Sequence, residues 1–378
     1  MTSLAPAPSS STPATSDKIR VMVVDDSAVV RGLVSRWVNE DPDMEVVGRS
    51  SNGLLALRDI VKCSPDIVIL DIEMPEMDGM TALPELLKLQ PGVKIIMVST
   101  LTRKNAEISL KALSLGATDY IPKPESNRGI TTSSDFRSEI LSKIKALVQK
   151  KVRRRPAATQ STPTAGARPV STGARPALRS FSSVAPKILA IGSSTGGPQA
   201  LNKVIEDAAP AIANIPVVIT QHMPPTFTAI LAEHLAVASG RPAKEGEDGE
   251  IIVPGTIYVA PGGFHMTVDN KDGASILRVK DGPMVNFCKP SVDPLFESVA
   301  KIYGPAILAI VLTGMGHDGA SGATQIADAG GSVIAQDEAT SVVWGMPAAA
   351  VEAGACAAIL PLDEIGRKTS SILQGALS

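Results

Sequence analysis

The chain has 378 residues, of which 44% are hydrophobic and 20% charged, and its formal net charge is −2. This composition is ordinary for a globular protein and argues against binding of nucleic acid by the molecule as a whole. Because a domain usually has about 100–200 residues, the length predicts two domains and connecting segments. The cysteines, Cys63, Cys288 and Cys356, are odd in number and do not have the spacing of a zinc site. Neither a disulfide framework nor a zinc site is therefore indicated, and we expect reduced thiols.

Neither an export signal nor a membrane span is indicated. Residues 1–17 have no basic start and no apolar run, so we expect a disordered tail. The most apolar run, from Ala306 to Leu312, is much shorter than the roughly 18 residues of a membrane-spanning helix. The sequence therefore predicts a cytoplasmic protein without membrane insertion.

A segment near the middle of the chain is rich in Pro, Ala, Ser, Thr, Gly and Arg and almost free of large apolar residues. Such a composition cannot build a hydrophobic core. We therefore expect a domain at residues 18–150, a flexible linker at 151–186 and a second domain at 187–378. We expect the arginines of the linker to be solvated.

Short Val, Ile and Leu runs, each followed by a longer amphipathic stretch, recur in both halves of the chain. This alternation predicts two doubly wound α/β domains, each with a parallel sheet covered by helices on both faces. The runs lie at Ile19–Val24, Glu45–Gly48, Ile67–Leu70 and Lys94–Val98, and then at Lys187–Ile191, Pro216–Thr220, Gly255–Val259, Ala306–Leu312 and Ser332–Ala335.

Carboxylates follow two of the strands expected in the first half: Asp25 and Asp26 come after VMVV, and Asp71 comes after IVIL. The carboxyl ends of parallel strands meet at one edge of a sheet, where three acids would repel one another unless a cation such as Mg²⁺ lay among them. Ser99 and Lys123 reach the same edge. A lone acid here would more often cap a helix, but capping explains neither the serine nor the lysine.

The segments VMVVDDS, ILDIEMPEMDGM, MVSTL and GATDYIPKP resemble the receiver domain of two-component response regulators, which has a flavodoxin-like fold. The resemblance covers about residues 18–150. It implies that Asp71 accepts a phosphoryl group from a histidine kinase. It also implies that Asp26, Asp71 and the backbone carbonyl of Glu73 hold Mg²⁺, and that Asp25 reaches the ion through water.

The same resemblance assigns three switch residues. Ser99 and Lys123 would contact the phosphoryl oxygens, and Lys123 together with Mg²⁺ would neutralise charge on the transferring group. Tyr120 fits the aromatic switch position of the family. From its local sequence alone, Tyr120 is described equally well as a half-buried core tyrosine.

In the second half, IGSSTGGP predicts the end of a strand, a glycine-rich turn and a helix that opens at Pro198. The residues from Gly192 to Gly196 satisfy G-x-S-x-G, in which a tight turn exposes the central hydroxyl, here that of Ser194. A turn of this kind can equally cradle a phosphate. The motif alone therefore leaves a nucleophile and a phosphate-binding loop as alternatives.

The positions of His222 and Asp318 favour the nucleophile. His222 directly follows a predicted strand, and Asp318 lies a few residues after another one. A general base and an orienting acid therefore reach the sheet edge that holds Ser194. The chain order Ser, His, Asp argues against the α/β-hydrolase family. Of the other histidines, we place His234 at a partly exposed helix position and leave open whether His265 contributes to the site.

The segments IGSSTGGP, ITQHMPPTFT, YVAPGGFHM, DGPMVNFCKPSVDPLF, LTGMGHDGA and QDEATSVVWGMP together resemble the catalytic domain of protein-glutamate methylesterases, over nearly all of residues 187–365. The resemblance implies a Rossmann-like domain with the catalytic triad Ser194, His222 and Asp318. Backbone amides near Thr195 and Met315 would stabilise the oxyanion. His317 departs from the family pattern, which usually has Asn there.

The combined resemblance predicts a phosphorylation-regulated serine hydrolase of chemotaxis that demethylates glutamate methyl esters on chemoreceptors and also deamidates glutamines. It implies chemoreceptors as substrates, a chemotaxis histidine kinase as phosphodonor, Mg²⁺ in the receiver and no cofactor for the esterase step. The alternative is a receiver that controls a non-catalytic phosphate- or nucleotide-binding module, which leaves His222 and Asp318 without a purpose. A DNA-binding output is disfavoured because no helix-turn-helix pattern follows the linker.

A flexible linker of this composition cannot transmit strain between the domains. We therefore expect the receiver to dock on the catalytic domain and cover the edge that holds Ser194, and phosphorylation to favour release.

Overall fold

The structure is a computed structural model that describes residues 18–124, 134–148 and 178–375. The expected tail at 1–17 and most of the expected linker lie outside these ranges. No helix in the described ranges is both long enough and apolar enough to cross a membrane.

The first domain is a five-stranded parallel sheet with the strand order β2-β1-β3-β4-β5. Its strands are β1 (Ile19–Val24), β2 (Met44–Ser50), β3 (Ile67–Asp71), β4 (Lys94–Thr100) and β5 (Asp119–Lys123). Its helices are α1 (Ala28–Glu40), α2 (Gly53–Cys63), α3 (Gly79–Leu89), α4 (Arg103–Ser114) and α5 (Ser134–Leu147). The predicted α/β class and parallel sheet are confirmed here.

Polar side chains fix where the first helices begin. The residue before each of α1 to α4 accepts a hydrogen bond from a backbone N–H of the first turn, which stabilises the helix start by about 1 kcal/mol. These caps are Ser27, Asn52, Asp78 and Thr102. Ser27, Asn52 and Thr102 lie within three residues of the preceding strand, so those loops are short, whereas the loop from β3 to Asp78 is longer.

The second domain is built on a seven-stranded parallel sheet with the order β14-β13-β12-β6-β7-β9-β8. Its strands are β6 (Ile188–Ser193), β7 (Val217–Gln221), β8 (Ala243–Glu245), β9 (Ile257–Val259), β12 (Ile307–Val311), β13 (Ser332–Gln336) and β14 (Ala358–Leu360). Its helices are α6 (Gly197–Ala208), α7 (Phe227–Ser239), α8 (Val292–Tyr303), α9 (Ala320–Asp328), α10 (Met346–Glu352) and α11 (Leu362–Leu373), with a 3₁₀ turn at Ala211–Asn214.

An antiparallel hairpin interrupts this parallel pattern. It consists of β10 (His265–Lys271) and β11 (Ala274–Lys280), which the sequence analysis did not predict. The hairpin packs against α8, and its buried side chains include Met266 and Leu277. The parallel strands expected in the second half are confirmed.

The order of the second sheet explains why a site forms at its centre. Strand β6 pairs with β7 on one side and with β12 on the other, so the chain leaves β6 in one direction and returns on its opposite flank. Loops diverge at such a switch point, and the crevice between them is where open α/β sheets bind ligands. The loops that follow β6, β7 and β12 carry the three predicted triad residues.

The described end of the expected linker lies against the second domain. The Arg179 guanidinium forms an ion pair of 2.8 Å with Asp328, and Ser182 Oγ donates to the Pro305 carbonyl at 2.9 Å. Residues 178–186, for which composition predicted a flexible linker, are thus held by polar contacts rather than by a core of their own.

Candidate active site

Ser194 lies on a tight turn between β6 and α6. Its N–H donates to the Thr313 carbonyl at 3.0 Å, and its carbonyl accepts from the Gly197 N–H at 2.7 Å. The turn needs glycine at two positions: Gly196 has φ +75°, and a Cβ on Gly197 would collide with the side chain of Gln221. Ser194 itself is half-buried, so its hydroxyl faces a pocket and not the core.

Gln221 holds this turn against the end of β7. Its Oε1 accepts from Ser193 Oγ at 2.7 Å, and its Nε2 donates to the Ser194 carbonyl at 2.9 Å. The backbone of the next residue, His222, donates to the Ser193 carbonyl at 3.1 Å. Gln221 was not predicted as a site residue, although it stands directly before His222 in the sequence.

The ring of His222 lies between an acid and a thiol. Its Nε2 is 2.7 Å from Asp318 Oδ2, and its Nδ1 is 3.4 Å from Cys288 Sγ. With Nε2 occupied by the carboxylate, Nδ1 is the nitrogen left to exchange a proton in the pocket. Cys288, for which we expected only a reduced thiol, is therefore an immediate neighbour of the predicted base.

Several donors surround the buried Asp318 carboxylate. Backbone N–H groups at the start of α8 donate to it, and so do two side chains and the N–H that follows Asp318. The donors are Val292 at 2.6 Å, Asp293 at 3.2 Å, Gly319 at 3.0 Å, Ser291 Oγ at 2.8 Å and Asn286 Nδ2 at 2.8 Å. A carboxylate with this many donors is stabilised in its ionised form.

The pKa values of the pair follow from these contacts. Burial works against ionisation of Asp318, but the hydrogen bond and charge of His222 and the N–H of Val292 lower its pKa below the usual range. Burial would lower the pKa of His222, but hydrogen bonds to Asp318 and Cys288 outweigh it and raise the pKa to about 9. The pair therefore favours a carboxylate beside an imidazolium.

Ser194 and His222 line one pocket of about 310 Å³. Among the residues that the structure describes, Ser194 Oγ forms no hydrogen bond with His222, whose Nδ1 faces Cys288. Catalytic hydrogen bonds often tighten only when substrate is bound, so this separation does not argue against Ser194 as nucleophile. The structure thus joins two of the three predicted triad residues directly and brings the third to the same cavity.

The backbone N–H groups of Thr195 and Met315, both near Ser194, donate to no acceptor within the described ranges. The neighbouring N–H of Gly314, in contrast, donates to the Val343 carbonyl at 3.0 Å. Thr195 is buried and Met315 is exposed. Each of the two predicted oxyanion positions therefore has a backbone N–H that is available to donate a hydrogen bond.

The other histidines lie around the site in different roles. His265 is buried, with Nε2 2.9 Å from the Pro283 carbonyl and Nδ1 accepting from the Ser291 N–H, so it supports the loop that donates to Asp318. His317 is exposed beside the buried Asp318. His234 lies half-buried on α7, as predicted.

The first domain forms one wall of the pocket. Tyr120, Pro122 and Lys143 line it opposite Ser194 and His222. The Tyr120 ring stacks on Phe227, the first residue of α7, with ring centroids 4.5 Å apart and an angle of 7°.

Two polar contacts accompany this stack between the domains. Arg103 on α4 forms a 2.6 Å ion pair with Glu233, and Gln199 Nε2 donates to the carbonyls of Leu113 and Ala117 at 3.1 and 3.2 Å. Exposed ion pairs contribute at most about 1 kcal/mol, so the aromatic stack carries more of the contact energy.

Tyr120 is tied to the receiver as well as to the catalytic domain. Lys143 Nζ donates to the Tyr120 carbonyl at 2.7 Å, pairs with Asp119 at 2.9 Å and lies 5.4 Å from the Tyr120 ring centroid. Tyr120 is buried rather than half-buried, and its ring lies at the interface between the domains. The aromatic switch role stays a prediction.

A second cluster lies at the carboxyl edge of the first sheet. Carboxylate oxygens of Asp25, Asp26 and Asp71 lie within 4.8 Å of one another, and Lys123 Nζ is 2.9 Å from Asp25 and 2.7 Å from Asp71. Neither Asp25 nor Asp26 caps α1, because Ser27 does. The acids are therefore gathered for another purpose than capping.

The electrostatics of this cluster fit a divalent cation. Burial raises the pKa of Asp71 to about 6, with Lys123 opposing the rise and the neighbouring carboxylates adding to it. Asp26 and Glu73 are exposed and line an open pocket beside Asp71. Hard oxygen ligands with excess negative charge and access from solvent are what Mg²⁺ prefers. Ser99 lies buried nearby in the sheet edge, with its Oγ 3.0 Å from Ser109 Oγ.

Comparison with known proteins finds a matching family for each domain. Residues 189–369 match the family model of the CheB methylesterase, and residues 21–134 match that of the response regulator receiver domain. A protein-glutamate methylesterase/protein-glutamine glutaminase of Nitrobacter hamburgensis is 55% identical over 364 residues, which cover 95% of each chain. Its counterpart in Rhodopseudomonas palustris is 54% identical over 367 residues, again 95% of each chain.

A crystal structure of the Thermotoga maritima CheB methylesterase catalytic domain is 41% identical and covers 50% of this chain and 100% of that one, with a TM-score of 0.48. The two relatives are similar over almost their whole length, receiver and catalytic domain included. This chain therefore belongs to the family of protein-glutamate methylesterases/protein-glutamine glutaminases.

Proposed function

We propose that the chain hydrolyses methyl esters of glutamate side chains on chemoreceptors, and amides of particular glutamines, under the control of receiver phosphorylation. The observation that carries this proposal is the His222 ring, held by the buried Asp318 at the edge of a pocket that also exposes Ser194. A serine hydroxyl in one pocket with a histidine that an acid orients is the catalytic arrangement of a serine hydrolase.

In the ester reaction, Ser194 Oγ attacks the γ-carbonyl carbon while His222 takes its proton, for which Nδ1 is the nitrogen on the pocket side. The N–H groups of Thr195 and Met315 stabilise the oxyanion. His222 returns the proton to the departing oxygen, and methanol leaves. Water then attacks the acyl-serine by the same acid–base route and restores the carboxylate and Ser194. With a glutamine substrate, ammonia leaves in place of methanol.

Two measurements test this activity. A fluorophosphonate probe should label Ser194, because such probes react with activated serine hydroxyls. Purified protein should release methanol from membranes that carry methylated receptors, and more of it when a small phosphodonor and Mg²⁺ are present. Labelling without methanol release would leave a serine hydrolase with a different substrate, and absence of both would refute the proposal.

The pH dependence of this reaction should reflect the environment of His222. Only the neutral imidazole can accept the proton of Ser194, and the pKa of His222 is raised to about 9. The value of kcat/KM should therefore rise with pH through the neutral and alkaline range, with a limb above the ordinary histidine pKa of about 6.5. A pH–rate profile of the phosphorylated protein measures this limb.

Asp318→Asn provides the control for that profile. The substitution removes the charge that favours the imidazolium, so the pKa of His222 should fall, with burial still lowering it and Cys288 still raising it. We expect the limb to move to lower pH and the plateau rate to fall. A limb that stays in place would show that another group controls the rise.

Receiver control would begin at Asp71. Asp26, Asp71 and the carbonyl of Glu73 would hold Mg²⁺, with Asp25 reaching it through water, and the ion would offset negative charge on the transferring phosphoryl group. Lys123 contributes a second positive charge, and Ser99 a hydroxyl, at the same edge. A chemotaxis histidine kinase is the proposed phosphodonor.

We further propose that the docked receiver limits access to Ser194, since it supplies a wall of the pocket. Removal of residues 1–177 should then raise turnover above that of the unphosphorylated full chain by about tenfold, the effect of a docking preference near 1.4 kcal/mol. The fragment should begin at residue 178, because residues 178–186 contact the catalytic domain. Methanol release by the two proteins at equal concentration measures the difference.

Tyr120→Ala in the full chain is the matched variant for this test. It removes the stacked ring but leaves the catalytic domain unchanged, so basal turnover should rise in the same direction as in the fragment. If turnover of the fragment is equal to or lower than that of the full chain, simple occlusion is wrong, and the receiver must activate the site or recruit the substrate.

A further inference from the structure

A two-residue turn stands at the rim of the catalytic pocket. Val285 and Cys288 form an antiparallel bridge with backbone hydrogen bonds of 3.1 and 2.9 Å, and Asn286 and Phe287 connect them. Both connecting residues have positive φ, +52° and +62°, which is the backbone of a type I′ turn.

Phe287 is an unusual residue for this position. Asparagine tolerates the left-handed region, but a bulky side chain there costs about 1–3 kcal/mol, and glycine is the residue that such turns prefer. The Phe287 side chain is also 94% exposed, so it gains nothing from burial within the chain. A residue that is both strained and solvent-exposed is not explained by stability.

The turn is rigidly attached to the catalytic groups. Asn286 Nδ2 donates to Asp318 at 2.8 Å and to Asp293 at 2.7 Å, and Cys288 Sγ lies 3.4 Å from His222 Nδ1. The backbone of Phe287 is thereby held close to the base. Met284, which is 66% exposed, joins Phe287 on the lining of the same pocket.

The rim stays next to Ser194 when the receiver is released. Met284 and Phe287 belong to the catalytic domain and line the same pocket as Ser194 and His222, whereas the receiver supplies only the opposite wall. Because the reacting glutamate is part of a polypeptide, the residues that flank it must contact the surface around Ser194. Exposed aromatic and methionine side chains are enriched where proteins bind one another.

We propose that Phe287, together with Met284, forms a docking surface for apolar side chains of the substrate polypeptide on either side of the reacting glutamate. This inference rests on the proposed esterase function and extends it to substrate selection. Phe287 touches the polypeptide and not the ester, so it determines how well a receptor binds and not how fast the bound ester reacts.

Phe287→Gly tests the surface without threatening the fold, because glycine suits the backbone of the turn. The assay uses the full chain with phosphodonor and Mg²⁺. We expect KM for methylated receptor to rise by about tenfold, because the variant loses the burial of most of one aromatic side chain on binding. The value of kcat should stay within about twofold of wild type. The rate at which a small fluorophosphonate labels Ser194 should not change, and thermal unfolding should occur at the same or a higher temperature.

Two further variants complete the test. Phe287→Asn keeps a Cβ and accepts positive φ, so it should match the glycine variant if the ring is what matters and flexibility is not. Val253→Ala removes another exposed apolar side chain, on the segment before β9 and so at the opposite edge of the sheet, and should leave KM unchanged.

The possible outcomes distinguish a failure of the docking surface from a failure of the proposed esterase function. An unchanged KM in Phe287→Gly, or a parallel loss of labelling and receptor turnover, would overturn the docking surface while the wild-type protein still released methanol. Wild-type protein that labels normally but releases no methanol from receptors would overturn both. A rise in KM alone, reproduced in Phe287→Asn, supports the proposal.

Discussion

Ser194→Ala should lower esterase turnover by about 10⁴-fold or more and leave the fold intact. The hydroxyl forms no hydrogen bond with the residues that the structure describes, and the side chain is half-buried on a turn that backbone contacts and Gln221 hold in place. Its removal therefore takes away the nucleophile without opening a cavity. Methanol release from methylated receptors measures the loss, and thermal unfolding checks the fold.

Ser193→Ala is the matched control for this substitution. The Ser193 hydroxyl is buried and donates to Gln221, so its loss should cost about 1–3 kcal/mol of stability while the nucleophile remains. Turnover in the Ser194→Ala variant within tenfold of wild type would remove Ser194 from the mechanism. His222→Ala should be about as damaging as Ser194→Ala, whereas Asp318→Asn should be equally or less damaging because the nucleophile and base remain.

The positions of the predicted site residues relative to the strands could be predicted from local sequence. Apolar runs predict buried strands, and a chemically active residue directly after a run must lie at the carboxyl edge of the sheet. Asp71 ends β3, and Ser194 and His222 each follow their strands directly. Their positions depended on strand ends alone, which side-chain periodicity predicts well.

Contacts made over long sequence distances were not predictable in the same way. Asn286 and Cys288 reach the triad from a loop whose path depends on the packing of the whole domain, and Gln221 reaches the Ser194 turn from the end of β7. Nothing in the spacing of residues showed that the His222 ring would present Nε2 to Asp318 and Nδ1 to the pocket. For the same reason the β10–β11 hairpin was missed, since its strands lie outside the parallel sheet.

The docking of the two domains was predictable from the sequence only in part. The flexible composition of the linker led us to expect docking on the edge that holds Ser194, and Tyr120 does lie against the first residue of α7. Which residues would meet, such as Arg103 with Glu233, depends on the relative orientation of two folded surfaces. No local pattern in the sequence encodes that orientation.

Asp71→Asn should abolish phosphorylation of the chain completely. Incubation of wild-type protein with a small phosphodonor and Mg²⁺ should give one acid-stable, base-labile phosphate, and the variant should give none, because an amide oxygen is too weak a nucleophile to attack phosphorus. Asp71 is buried against Lys123, which is 2.7 Å away and positioned to neutralise the product, whereas Asp26 is exposed and lacks this contact.

Removal of Mg²⁺ should abolish phosphorylation of the wild-type protein, as the Asp71→Asn substitution does. Burial and neighbouring carboxylates raise the pKa of Asp71 to about 6, so a divalent cation among the three acids would favour the ionised nucleophile as well as the phosphorylated product. Labelling should therefore disappear with a chelator and return with added Mg²⁺. Label that persists in the Asp71→Asn variant would move the phosphorylation site elsewhere, with Asp26 the next carboxylate to replace.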